Sequence, residues 1–387
     1  MKEIYLDYSS ATPLDQRVKA AMEPYWSEEY GNPSAIHAKG RAARKAVEEA
    51  RKTVAAVLHC RAGEIIFTAG ATEADNLAIL GAAGAFDDKR GHFITSALEH
   101  HAVLKSFNAL ERRGHSVTIL GVSADGIIDP RALEEAIRPE TVLISIGYAN
   151  NEIGAIQPIA EIGKVIKNWR RQQAENSPSH FPLLHSDASP AAGFLDLNVD
   201  RLGVDLMTLN SAKIYGPKGV GALFVRRNIE LAPVTYGGGQ EKNIRSGTEN
   251  VPGIAGLAKA LEIAEKERVK ESARLVKLRD YFAARLLKDI PGVLLNGSPA
   301  DRLPNNVNVS IPGIEGEAAV MYLDAKGVYA ATGAACASES VDPSHVLLAI
   351  GRNREEALGS IRFSLGRETS REDLDYAADS LLSILPL

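Results

Sequence analysis

The sequence predicts an α/β protein: a large domain built on a mainly parallel sheet, followed by a smaller α+β domain. Three observations carry this. Strand-like and helical patterns alternate from about residue 34 to residue 225, as a parallel sheet with crossover helices requires. Seven short β-rich runs fall in that region. At 387 residues, the chain is long for one core and suits a large domain plus a smaller one.

In chain order, "SAIHAKGRAARKAVEEARKTVAAVL" (34–58) reads as a long amphipathic helix, with Ser34 as a plausible N-cap. "EIIFT" (64–68) is the first strand and a helix over 72–83 follows. "HFITS" (92–96), a helix over 101–113, "SVTILG" (116–121) and a helix over 130–137 come next. "VLISIGY" (142–148) precedes a helix over 157–171, and the polar "NWRRQQAENSPSHF" (168–181) reads as a surface loop or a frayed helix end. "PLLHSD" (182–187), "DLMTL" (205–209) and "VGALFV" (220–225) complete the seven. Around 227–252 the pattern breaks into a glycine-rich loop. A charged helix spans roughly 254–288, and the remainder mixes strands and helices, so the smaller domain begins near residue 258.

Composition excludes several classes. Hydrophobic residues make up 45% and charged ones 24%, with a net charge of −5 and a pI near 6.0. That is a soluble, globular profile without the basic excess of a nucleic-acid binder. The N-terminal stretch has no signal-peptide core, and no apolar run reaches about 18 residues, so no membrane association is expected. The two cysteines, Cys60 and Cys336, are too few for a disulfide framework and suit a reducing cytosol. The histidines show no zinc-type spacing. "EHHAV" holds the one tight pair, and adjacent residues on an element are not expected to face one ligand.

Lys213 ends the apolar run in "LMTLNSAKIYGPKG". It either leaves the strand for solvent or serves as a Schiff-base lysine, whose desolvated amine is free to attack a carbonyl. Asp187 ends "LLHSD", where a carboxylate caps a loop or pairs with a protonated pyridine nitrogen. In "TAGATEADN" (68–76), small residues precede a helix whose free N–H groups and dipole suit a phosphate. Strand–Gly–Thr–helix, strand–Asp and strand–Lys in this order supply a phosphate seat, a ring-nitrogen partner and an aldehyde-binding lysine.

Together with "YLDYSSATPLD", "GNPSAIHAKG", "EHHAV", "NNEIG", "GGGQEKNIRSGTENV", "GAACAS" and "SIRFSLGRETSREDLD", these stretches resemble the cysteine desulfurases over essentially the whole chain. Those are pyridoxal 5'-phosphate enzymes of the class V aminotransferase group, with fold type I. The resemblance implies a mainly parallel seven-stranded sheet in a large cofactor domain, 14–257, and a small domain formed by 1–13 and 258–387. It implies that Lys213 binds the cofactor, Asp187 pairs with its ring nitrogen, and His100 stacks on the ring as a plausible proton shuttle. Ala71, Thr72 and Thr248 would bind phosphate, Thr248 in the partner subunit's site of a homodimer. Asn151 and Arg362 would hold the carboxylate of L-cysteine, Arg362 through a bidentate fork. Cys336, among small residues, would take the sulfur as a persulfide and release alanine. "GAACAS" resembles the longer-loop, iron–sulfur cluster type, which implies a sulfur-acceptor protein, either a cluster scaffold or a thiolation enzyme. Cys60 reads as a helix-end packing residue.

Two positions depart from the family pattern. Ala212 stands where a phosphate-contacting histidine is usual, and Pro190 where a glutamine usually meets the cofactor's phenolic oxygen. Asn210 and Ser211 are the expected substitutes at the phosphate. One lost hydrogen bond to a charged group is worth roughly 1.5–3 kcal/mol, so weaker cofactor retention is expected. A selenocysteine lyase, another enzyme of this group, or a degenerate scaffold homologue are the alternatives.

Overall fold

The computed structural model describes residues 3–86, 90–173, 181–332 and 342–385. The β-rich runs form one seven-stranded sheet, in the order Ile65–Thr68, Gly221–Val225, Leu206–Asn210, Leu183–Asp187, Thr141–Ser145, His92–Ser96, Ser116–Leu120. The last five of these pair in parallel. Gly221–Val225 runs antiparallel to both of its neighbours. The connection over 211–220 is too short for a parallel crossover, so the chain has to turn straight back. Most of these strands are buried along their whole length, while the edge strand Ser116–Leu120 exposes Ile119. Burial on both faces is why they read as continuous apolar runs.

Element ends move by a few residues, each for a local reason. The first long helix is Ala38–Leu58. Ser34 does not cap it, because Asn32 turns the chain there and accepts the Ser34 N–H at 2.9 Å. His37 is the cap, its ring accepting from the Gly40 N–H at 3.3 Å. The regular strand in the run 142–148 ends at Ser145: Ile146 and Tyr148 still donate to the His185 and Asp187 carbonyls, but the Gly147 N–H turns to the Glu99 carboxylate at 3.0 Å. The helix expected at 254–288 is Val251–Asp289. Asn250 caps it by accepting from the Gly253 N–H, and a proline in its first turn lacks only an N–H that would be unpaired there. The helix expected at 157–171 is Ile159–Gln173, so the polar stretch begins helical; residues 174–180 lie outside the described set.

A second, three-stranded sheet places Asn306–Ser310 between Ser360–Ser364 and Leu294–Leu295, all antiparallel. Ile4–Tyr5 pairs in parallel with Val328–Tyr329. These elements share their own apolar cluster, in which Phe282 and Phe363 meet edge to face at 5.1 Å. The helix Val251–Asp289 links both cores, burying Leu257 and Leu261 in the large cluster and Leu275 and Leu286 in the small one. The N-terminal segment crosses between them: Asp7 bridges to Ser364, and the Ser9 N–H donates to Ser364 Oγ at 2.8 Å. Among the described residues, no helix is long and apolar enough to cross a membrane.

Candidate active site

A cavity of about 250 Å³ opens beyond the carboxyl ends of the parallel strands, where ligands of such sheets sit. Asp187 ends one strand and Asn210 the next, and His100 follows a third by four residues. Ala71, Thr72, His100, Asn151, Asp187, Asn210, Lys213 and Arg362 all line this one cavity. Residues up to 291 positions apart in sequence (71 to 362) thus converge on it. A surface groove of about 450 Å³ between the helices Ala38–Leu58 and Val251–Asp289 gathers none of these groups.

Lys213 stands in a 3-10 turn directly after its strand. Its Nζ donates to the carbonyls of Ser9 at 2.7 Å and Ser10 at 2.6 Å. The same segment is laced to the turn by Thr12, which hydrogen-bonds the Ala212 carbonyl and the Tyr215 N–H. The amine is therefore neither in solvent nor in hydrocarbon. Asp187 is buried and accepts the Ser189 N–H at 2.8 Å through one oxygen. His100 caps the helix His101–Arg112, its Nδ1 accepting from the Ala102 N–H at 3.1 Å. That bond puts the neutral ring's proton on Nε2. Burial lowers the His100 pKa, with Lys213 and His101 adding to the effect and Asp187 opposing it.

The helix Ala71–Ala85 starts at Gly70, which has a φ of 150° and no side-chain cap. No side chain caps its first N–H groups, and Ala71 and Thr72 of its first turn line the cavity. Arg362 is fully buried. Its Nη2 donates to Asp7 Oδ1 and to Ser10 Oγ, each at 2.7 Å, and its Nη1 to the Asn151 carbonyl at 3.3 Å. Its Nε and the hydroxyl of Ser189 are buried without a partner. An uncapped helix start, an amine, a carboxylate, a flat imidazole and orphaned donors fit the phosphate, aldehyde, pyridine nitrogen and ring of pyridoxal phosphate, together with an amino-acid carboxylate.

Other residues stand elsewhere. Ser211 is fully buried behind the cavity and does not line it; Gly216 packs against its hydroxyl. Pro190 does line it, beside Ser189. Thr248 is exposed and lies off this cavity, while Arg245 of the same loop pairs with Glu73 on the helix Ala71–Ala85 at 2.8 Å. Cys336 lies outside the described residues. Cys60 is half-buried after its helix, and burial pushes its thiol up to about 12.

The structure also adds residues the sequence did not point to. His101 lines the cavity beside His100, because the chain turns between the cap and the first helical residue. His345 joins them, its ring 4.9 Å from that of His101. Glu99 and Glu152 line it too, both raised to about 7 by burial. Asp75 lies fully buried nearby and is pushed well above the usual carboxylate range, first by burial and then by the charge of Asp187. The quoted "EHHAV" and "NNEIG" contain three of these positions, Glu99, His101 and Glu152, and "TAGATEADN" contains Asp75, but only the fold brings in His345.

The family model described as "Aminotransferase class-V" matches residues 4–377. The chain is 48% identical to "Cysteine desulfurase IscS" of Dictyoglomus turgidum, over 99% of this chain and 95% of that one. It is 45% identical to "Cysteine desulfurase IscS 1" of Archaeoglobus fulgidus, over 99% and 96%. Among solved structures it is similar to a "NifS-like protein" with a TM-score of 0.90 at 34% identity, covering 99% of both chains. It is also similar to "SspA in complex with cysteine", with a TM-score of 0.81 at 36% identity, covering 94% of this chain and 99% of that one.

Proposed function

The chain belongs to the class-V aminotransferase family and within it to the cysteine desulfurases, pyridoxal-phosphate enzymes, and from that premise we propose how its own residues perform the reaction. The observation that supports this reading is the convergence of Lys213, Asp187, His100, Thr72, Asn151 and Arg362 on one cavity. The bound cofactor supplies an electron sink for the substrate's Cα.

The free N–H groups at the start of helix Ala71–Ala85, with the Thr72 hydroxyl, hold the phosphate. Asp187 would hold the ring nitrogen, and His100 would lie against the ring. Lys213 would bind the aldehyde and, once its amine is released, would move the proton at Cα. The carbonyls of Ser9 and Ser10 keep that amine in reach. Arg362, braced by Asp7, turns its remaining donors to the substrate carboxylate, and Asn151 lies beside it. Cys336 takes the sulfur: its thiol and L-cysteine become a Cys336 persulfide and L-alanine, with one S–S bond formed and one C–S bond broken.

This reading includes a homodimer, in which the exposed Thr248 serves the partner's phosphate site, and a sulfur-acceptor protein of the cluster-scaffold or thiolation class. It includes a cytoplasmic setting and the two domains 14–257 and 1–13 with 258–387. The test is to give wild type and Cys336→Ala L-cysteine with a reductant and quantify alanine and sulfide together. Equal release by wild type, lost in the variant, supports the reading. No release by cofactor-loaded wild type overturns it.

A further inference from the structure

The motif residues leave part of the cavity lining unexplained. Leu98, His101, His345 and Val346 also line it. His345 Nε2 donates to the Glu99 backbone carbonyl at 3.0 Å. A carbonyl only accepts, so this bond places the proton of the neutral ring on Nε2 and leaves Nδ1 with its lone pair. The ring is set firmly. It packs against His101 at 4.9 Å, and the preceding Ser344 donates to the buried Glu152 carboxyl at 2.5 Å. The titratable groups facing His345 are His100 and His101, with Glu152 behind Ser344. Burial, His101 and His100 all disfavour a charge on this imidazole, and the Glu99 carbonyl is the one opposing contact.

We propose that His345 is a specificity-determining residue, whose unprotonated Nδ1 accepts a hydrogen bond from the substrate's S–H and thereby selects a thiol over an ionised selenol. The inference deepens the desulfurase reading and rests on it. A cysteine thiol, with an ordinary pKa of about 8.5, keeps its proton at neutral pH. A selenol is the stronger acid and enters as an anion. A lone pair attracts the first and repels the second. Leu98 and Val346, on the same lining, offer a selenolate no donor. Protonation of His345 reverses the preference, because the ring then offers a donor at both nitrogens.

The test compares kcat/KM for L-cysteine and L-selenocysteine in the holoenzyme at about pH 7.5 and about pH 5.5. Loss of a modest hydrogen bond predicts that His345→Phe lowers the cysteine-to-selenocysteine ratio about three- to tenfold at the higher pH, chiefly through KM for cysteine. His345→Gln keeps an acceptor and should retain most of the ratio. In wild type the ratio should fall more steeply on acidification than in His345→Phe, where only the selenol's own protonation remains. Independently of turnover, nitrogen NMR of the His345 ring should show the neutral Nε2–H form at the higher pH. A protonated or Nδ1–H ring overturns the proposal. So does a ratio unchanged in a His345→Phe enzyme that melts and loads cofactor like wild type. Alanine release from cysteine that ignores position 345 sinks this inference alone, whereas no release by wild type sinks the desulfurase reading with it.

Discussion

Lys213 resolves the cost of a charged amine at the end of a buried strand by reaching two backbone carbonyls of a segment 203 and 204 residues away. Replacing it with alanine should abolish turnover and remove the absorbance of covalently held cofactor; a retained band would show that another amine takes its place. His100 carries a pH prediction. Burial holds its pKa below the usual 6.5, so it is neutral at neutral pH and charges only in acid. If it relays the Cα proton, kcat/KM should fall as pH drops below about 6.5, and His100→Gln should lose that acid limb. An unchanged limb in the variant assigns it elsewhere. Asp187 and Lys213 were legible because strand ends in a parallel sheet mark its ligand side. His101 was not, because the rule that neighbours face apart fails where a loop becomes a helix. Asn210 lines the cavity, whereas its neighbour Ser211 is fully buried and does not.

At the scale of elements, close packing sets the tolerances. Gly163, on helix Ile159–Gln173, would place a Cβ 2.4 Å from the Leu202 carbonyl. Backbone cannot swing aside as a side chain does, so Gly163→Ala should cost about 1–3 kcal/mol in denaturant unfolding. The Arg51 guanidinium grips the buried Glu241 carboxylate at 2.6 and 2.9 Å and stacks over Phe67. Arg51→Ala strands a buried charge and should cost about 3–5 kcal/mol, whereas a paired apolar replacement of both should cost less. Glu241, Lys242 and Asn243 all have positive φ, between 41° and 64°, a backbone sequence could not foretell without glycines. That is why the 227–252 region reads only as a loop. Six of the seven strands were legible because burial on both faces leaves a largely apolar run, and the exposed edge strand Ser116–Leu120 through its β-branched residues. The two-residue pair Ile4–Tyr5 and Val328–Tyr329 is too short to leave a pattern.

For the whole molecule, opposed buried groups shape stability against pH. Glu99 and Glu152, raised to about 7, bind protons in the native state that the unfolded chain releases near 4.5. Their contribution is present in acid and lost as pH rises through 7. His185, lowered to about 3 by burial, refuses a proton the unfolded chain takes below 6.5, so its contribution is lost as pH falls from 6.5 toward 3. Glu152→Gln should therefore make the melting temperature less sensitive to a rise from about pH 5 to about pH 8, read by calorimetry. An unaltered slope would refute Glu152 as a buried acid.

Arg362 and Asp7 meet across 355 residues of chain. A ribosome adding about 5–20 residues per second completes Asp187 and Lys213 long before Arg362 leaves the exit tunnel. During that interval the nascent chain carries Asp187 and Lys213 but not the arginine that pairs with Asp7. On the roles proposed above, the group that holds the cofactor and the group that holds the substrate are thus completed at separate moments of synthesis, the second waiting on the last strand to come home to the first turn.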